Sequence, residues 1–224
     1  MAPDDLSAPS GKPRALIVDF GGVLTTPLQD AMESFARSVG IELQDLVRVV
    51  LKAYAGAEDQ LVADFETGRL PEDEFARRLG GRLTEETGVE IEPDGLVTAM
   101  FSGIELEETM FAAIEAARRA GLRTALCSNS WGDSLYPRDR LTGSFDVVVI
   151  SGEVGLRKPD PAIFRLTAER LGVEPPRCVF VDDHPGHLQV AAQEGMTTVL
   201  HTSAADTISQ VESLLGVTLA PNGS

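Results

Sequence analysis

Aromatic and cationic residues are scarce in this chain. Only 5% of its 224 residues are aromatic, with one tryptophan and two tyrosines, so the core must be mostly aliphatic side chains and alanine. Nineteen Lys and Arg stand against 35 Asp and Glu, a formal net charge of -16. That balance excludes nucleic-acid phosphate and an anionic membrane as general partners, yet leaves room for a local basic pocket that holds a small anion. No apolar run is long enough to span a bilayer, and the first residues do not read as a signal peptide. Cysteine is reduced to Cys127 and Cys178, each in an apolar run, which reads as two buried thiols rather than a disulfide framework. A reducing, cytoplasmic setting is expected. There is no internal repeat, no low-complexity tract, no P-loop and no CxxC pattern.

What is present is a rhythm of short apolar runs and helical periods. Residues 15–18, 124–127, 147–150, 178–181 and 197–200 read as buried parallel strands. Between most of them lie helical patterns at 110–120, 161–171 and 187–194. The second of these has Asp160 as N-cap, Pro161 at the first helical position and Gly172 past its end. Strand and helix in alternation predict an α/β fold, a parallel sheet with helices on both faces. Residues 27–103 break the rhythm with helical periods only, at 31–38, 43–54, 60–66, 72–79 and 93–101. Thr67-Gly68-Arg69 and Leu79-Gly80-Gly81 read as breaks between them. This block is expected to form a helical cap, hinged near residues 25–28 and 102–107, over a core made of 14–26 and 104–215. Residues 1–13 and 216–224 read as loose tails.

Four chemistry-bearing patterns follow one another along the chain: Asp19 in DFGGVLTT, Ser128-Asn129-Ser130 after ALC, Lys158 in GLRKPDP, and Asp182-Asp183 after VFV. Three of them fall at the C-terminal ends of predicted strands, where ligands bind in open α/β sheets. Singly each is weak, because an Asp, Ser or Lys is more often a cap, a turn or a solvated residue. Together they are hard to obtain by chance. Two adjacent carboxylates at a strand end repel, and a metal is the natural remedy. A serine triad is disfavoured, because Ser128 lacks a G-x-S-x-G elbow. Trp131 reads as a pocket wall or as ordinary packing.

With these motifs the chain resembles the haloacid dehalogenase superfamily of hydrolases from Arg14 to about Val211. LRKPDPAIF and VFVDDHPGHLQVAAQEGMTTV carry the likeness most specifically, and FETGRLPEDEF looks like that superfamily's small helical cap. DFGGVL resembles the branch related to the phosphatase domain of soluble epoxide hydrolases. The resemblance implies a Rossmann-like core whose first strand lies between the second and fourth. Strands ~4.8 Å apart would then hold Cys127 and Cys178 roughly 10 Å apart, too far for a disulfide. It implies magnesium-dependent hydrolysis of a small phosphorylated substrate by a monomer or homodimer, with cap residues near 58–69 selecting that substrate. Asp19 would be the nucleophile. The metal (Mg2+) would take Asp19, the Gly21 carbonyl and Asp183, with Asp182 as a direct or indirect partner. Lys158 would neutralise charge, and Ser128 with the backbone at Asn129 would hold the phosphoryl oxygens.

Two departures from the pattern bear on chemistry. The family's usual second Asp, which protonates the leaving oxygen, is Gly21 here. Loss of acid–base help worth ~10²–10⁴ in rate predicts a slow enzyme favouring low-pKa leaving groups, or else a relative that binds a phosphorylated ligand or partner with little turnover. A dehalogenase fits less well, since it needs no metal. His187 stands where the branch commonly has Asn. It and His184 read as residues of a helix start that touch solvent, with His187 an auxiliary proton relay in the alternative reading.

Overall fold

The computed structural model of the protein describes residues 12–55 and 60–219. Its sheet has the strands β1 (Ala15–Val18), β2 (Arg123–Ser128), β3 (Val147–Ile150), β4 (Cys178–Asp182) and β5 (Thr197–Leu200). All pair in parallel in the order β3-β2-β1-β4-β5, so β1 is flanked by β2 and β4 as expected. Ala15, Ile17, Cys127 and Phe180 face one apolar cluster, and Leu16, Val18, Leu126 and Val181 face the other. Burial on both faces is why these strands read as unbroken apolar runs. Cys127 on β2 and Cys178 on β4 are free buried thiols with β1 between them.

The helices are α1 (Leu28–Val39), α2 (Leu43–Ala55), α3 (Leu61–Glu66), α4 (Glu72–Thr87), α5 (Leu96–Met100), α6 (Glu108–Arg119), α7 (Arg138–Ser144), α8 (Ser151–Val154), α9 (Pro161–Leu171), α10 (Pro185–Gln193) and α11 (Ala204–Leu215). Helices α1 to α5 are inserted after β1 and enclose a core of their own, with Phe35, Leu46, Phe75, Leu79 and Leu83 buried in it. The chain enters and leaves this cap side by side. Thr26 N–H donates to the Glu105 carbonyl and Glu107 N–H to the Leu24 carbonyl, each at 2.9 Å, around a Thr25–Leu106 antiparallel bridge. Among the described residues, no helix is long and apolar enough to cross a membrane.

Three expectations need correction. Leu79-Gly80-Gly81 does not end a helix, because α4 runs through both glycines to Thr87. A Cβ on Gly80 would stand 3.3 Å from the Ile91 carbonyl oxygen, so the missing side chain admits a crossing segment, and burial of Leu83 outweighs glycine's poor helix propensity. The helix placed at 93–101 is confined to Leu96–Met100. The tail after Leu215 is packed as far as it is described. Leu219 is 1% exposed, and its N–H donates to Glu212 Oε1 at 2.6 Å. Residues 1–11 and 220–224 of the predicted tails lie outside the described residues.

Candidate active site

Asp19 follows β1 directly. Its N–H donates to the Val181 carbonyl at 2.9 Å, which extends the sheet ladder one residue and fixes the carboxylate at the strand end. Phe20 N–H donates to Asp19 Oδ1 at 2.7 Å. The chain then turns tightly, with Leu24 N–H to the Phe20 carbonyl at 2.8 Å and Gly22 N–H to Thr25 Oγ1 at 2.9 Å. Gly22 has φ +72°, and a Cβ there would strike Asp183 Oδ2. Glycine is therefore what allows the β1 loop to lie against the carboxylate at the end of β4.

Lys158 is 0% exposed, and its Nζ lies 2.8 Å from Asp19 Oδ1 and 2.6 Å from Asp182 Oδ2. Its backbone is held by Asn129. Lys158 N–H donates to Asn129 Oδ1 at 2.8 Å, and Asn129 Nδ2 donates to the Lys158 carbonyl at 3.0 Å. One ammonium thus serves two buried carboxylates, and they divide it unequally. Burial raises the Asp19 pKa to about 7, with Lys158 opposing and Asp182 adding to the rise. Burial also acts against an ionised Asp182, but Lys158 and His187 outweigh it and hold Asp182 below the usual carboxylate range. For Lys158 the two carboxylates overcome the penalty of burial and keep it charged.

The Asp182 oxygens are further engaged. Oδ1 accepts His184 N–H at 2.8 Å, and His187 Nδ1 lies 3.1 Å from both oxygens. Burial lowers the His187 pKa, with the Asp182 contact opposing, and Nδ1 is the ring nitrogen that faces the carboxylate. His187 is half-buried against Asp182, while His184 is exposed and caps α10 by accepting Gly186 N–H at 3.1 Å. Asp183 lies at the rim, its pKa raised by partial burial and by Asp182. Ser128 Oγ lies 2.9 Å from the Tyr136 hydroxyl, which donates to the Asn129 carbonyl at 3.1 Å.

The strand ends therefore bring Asp19, Lys158, Asp182 and His187 into one contact network. Asn129 braces it from behind, and Asp183 adjoins the Gly21-Gly22 turn. Asp19, Asp182 and His187 offer atoms within 4.8 Å of one another that could hold a metal ion.

Residues 13–195 match the family model of haloacid dehalogenase-like hydrolases. The chain belongs to that family. It is 34% identical over 219 residues to acyl-CoA dehydrogenase family member 10 of Mus musculus, covering 92% of this chain and 19% of that protein. It is 29% identical over 222 residues to bifunctional epoxide hydrolase 2 of Sus scrofa, covering 92% of this chain and 39% of that one. The hydrolase thus spans less than half the length of either relative. A similar fold occurs in a family enzyme of Bacteroides thetaiotaomicron in complex with magnesium and inorganic phosphate. That structure is 20% identical with a TM-score of 0.62, covering 85% of this chain and 94% of the other.

Sequence reasoning on this hydrolase missed the clasp between cap and core. Glu66, at the end of α3, is 1% exposed and lies 2.7 Å from Arg157 Nε, one residue before Lys158. Its Oε2 also accepts from Asn129 Nδ2 at 3.4 Å, and its carbonyl accepts the Ser151 hydroxyl. Gly68 lies so close to Gly152 of α8 that no Cβ would fit. FETGR did signal a cap turn, but nothing local names partners some 90 positions away. Of residues 58–69, expected to select the substrate, Glu66 and Gly68 lie at the cap–core seam, and positions 58 and 59 lie outside the described residues. Trp131 both packs in the cap cluster and lines the space beside Gly21.

Proposed function

We propose that this hydrolase is a magnesium-dependent phosphatase that cleaves a small phosphorylated metabolite through an aspartyl-phosphate on Asp19. The observation that carries the reading is the sharing of Lys158 Nζ between Asp19 and Asp182, at 2.8 and 2.6 Å, at adjacent strand ends. A carboxylate attacks a phosphoryl group only where charge is neutralised, and a buried, fixed ammonium provides this without reorganisation.

The donors at the strand ends suit a hard cation. Asp19, the Gly21 carbonyl and Asp183 are the residues that would hold magnesium, all through oxygen. Asp182 stands behind them, its oxygens taken by Lys158, His184 N–H and His187. His187 is thus a positioning residue that keeps Asp182 ionised and oriented. When bound, magnesium would supply positive charge that offsets the repulsion between a carboxylate nucleophile and a phosphate.

Asp19 adds to phosphorus in line, and the bond from phosphorus to the leaving oxygen breaks with its electron pair on that oxygen. Water then adds to phosphorus, the bond to Asp19 breaks, and the water proton passes to the product phosphate. Lys158 offsets the charge that develops. In this reading the Asn129 N–H and the Ser128 hydroxyl, turned from its Tyr136 contact, would donate to phosphoryl oxygens, whereas Ser130 N–H is committed to Ser151 Oγ at 2.7 Å. The space between cap and core beside this loop is about 20 Å³, room for a single water, so substrate entry requires the cap to lift on its paired crossings.

Phosphate release from a panel of esters, with and without magnesium, tests the reading, with Asp19→Asn as control. Magnesium-dependent release that the control lacks supports it. Gly21 favours a second reading, a relative that binds a phosphorylated ligand with little turnover. No release, together with magnesium-dependent binding of inorganic phosphate, would establish that one instead.

A further inference from the structure

Next to Gly21, two residues after Asp19, lies a small and mostly apolar space between cap and core. Gly21 forms one side of it, and Leu28, Phe101, Ile104, Trp131, Leu135 and Tyr136 form most of the rest. Among its described lining residues none carries a carboxylate, an imidazole or an ammonium. Tyr136 has the only acidic hydroxyl there. Burial pushes its pKa up, and its proton is committed to the Asn129 carbonyl at 3.1 Å. The position two residues after Asp19 is occupied from outside. A Cβ built on Gly21 would lie 2.8, 3.3 and 3.4 Å from Cδ1, Cγ and Cδ2 of Leu28. The branched end of Leu28, the first residue of α1, sits directly over Gly21 and fills the space into which a side chain at 21 would project.

We infer that Leu28 replaces a proton donor with a hydrocarbon wall, making the site selective for phosphate esters of acidic hydroxyls, such as aryl or acyl phosphates. The inference rests on the phosphatase reading above. As the bond from phosphorus to the leaving oxygen breaks, that oxygen departs with its electron pair and without a proton. A phenolate or carboxylate tolerates this, and an alkoxide does not. The apolar walls add affinity for a flat or aliphatic leaving group by removing its surface from water. Leu28 is a specificity-determining residue because it couples the two effects: it occupies the space a donor at 21 would need and presents hydrocarbon to the space beside it.

The test is phosphate release from a series of aryl phosphates of graded leaving-group pKa and from simple alkyl phosphates. The proteins compared are the wild type, Gly21→Asp, Leu28→Ala and Gly21→Asp/Leu28→Ala. The wild-type rate should fall steeply as leaving-group pKa rises, with alkyl esters slowest. Gly21→Asp alone should raise alkyl turnover by far less than the double variant, because Leu28 still crowds position 21. The double variant should raise it by about 10²-fold, the lower end of what general acid help supplies, and flatten the dependence on leaving-group pKa. Equal wild-type rates for alkyl and aryl esters would overturn the inference, and so would a Gly21→Asp gain as large as that of the double variant. The wild-type series decides the first point even if a variant fails to fold. Absence of release from every ester would overturn the phosphatase reading itself, and this inference with it.

Discussion

Lys158 and Asp182 form an ion pair from which water is excluded, with Nζ and Oδ2 2.6 Å apart and both side chains fully buried. Such a pair is costly to break from one side, because the remaining charge stays in the interior without its partner. The ammonium has no freedom to leave Asp19, and Asp182 is held by His187 as well.

Lys158→Met should abolish phosphate release and destabilise the fold by about 3–5 kcal/mol near neutral pH. Asp19 and Asp182 would then repel each other unscreened, which raises the pKa of one of them in the folded state. A carboxyl so raised contributes stability while protonated and loses it as pH rises through its folded pKa. The deficit against wild type should therefore shrink in acid. Urea unfolding at pH 5 and 7.5 measures it, and an equal deficit at both would mean that the carboxylates are not what the lysine stabilises.

Asp19 gives a second pH dependence. Its folded pKa is raised from the ordinary carboxylate value of 3.8 to about 7, with burial the largest cause. Its contribution to stability is therefore present below about 4 and lost as pH rises through about 7. Magnesium needs the ionised carboxylate, so its apparent affinity should strengthen between pH 5.5 and 7.5 and then level off. Binding near pH 6 should release close to one proton. Calorimetry in buffers of different ionisation enthalpy counts that proton. Asp19→Asn should remove both the proton release and this part of the stability slope, and chelation should return the wild type to its metal-free melting curve.

The candidate site was legible because the apolar runs of β1, β2 and β4 lead to Asp19, Ser128 and Asp182, so the same pattern located strand and candidate residue together. Lys158 was recognisable only in the company of the others. What escaped depends on distance along the chain. Glycine at 80 and 81 reads as a break until Ile91 is seen to cross there. Leu219 looks like tail until it is seen buried beneath α11. The pairing of Glu66 with Arg157 and the seating of Leu28 over Gly21 are tertiary facts with no local period. His187 was expected to face solvent and instead bonds Asp182, because the first turn of α10 folds back over the β4 end.

Glu66 joins the cap to the loop that carries Lys158, so its loss should act on both. Glu66→Ala leaves Arg157 without its carboxylate at the cap–core seam and should cost about 3 kcal/mol. Amide exchange should quicken first in α3 and α4, ahead of the sheet, because the cap has its own core and can part from the strands. Uniform acceleration through β1 and β4 would mean instead that cap and core unfold as one unit.

Trp131 is the single tryptophan of the chain, and it sits on the loop after β2 while packing into the cap. Its ring centroid is 5.4 Å from that of Phe101, 6.0 Å from Phe75 and 6.3 Å from Phe65, and the residue is 9% exposed. Those contacts join residues on both sides of the cap–core seam, so they persist only while the cap is seated. Indole emission therefore reports cap position without any label. Saturating magnesium with orthovanadate should lower acrylamide quenching relative to the ligand-free protein, because a filled site holds the cap down. Glu66→Ala should raise quenching above wild type, because the clasp is gone. Equal quenching in all three would mean that the cap does not lift on the timescale of the collision, and that substrate reaches Asp19 by a route other than the hinge at Thr25 and Leu106.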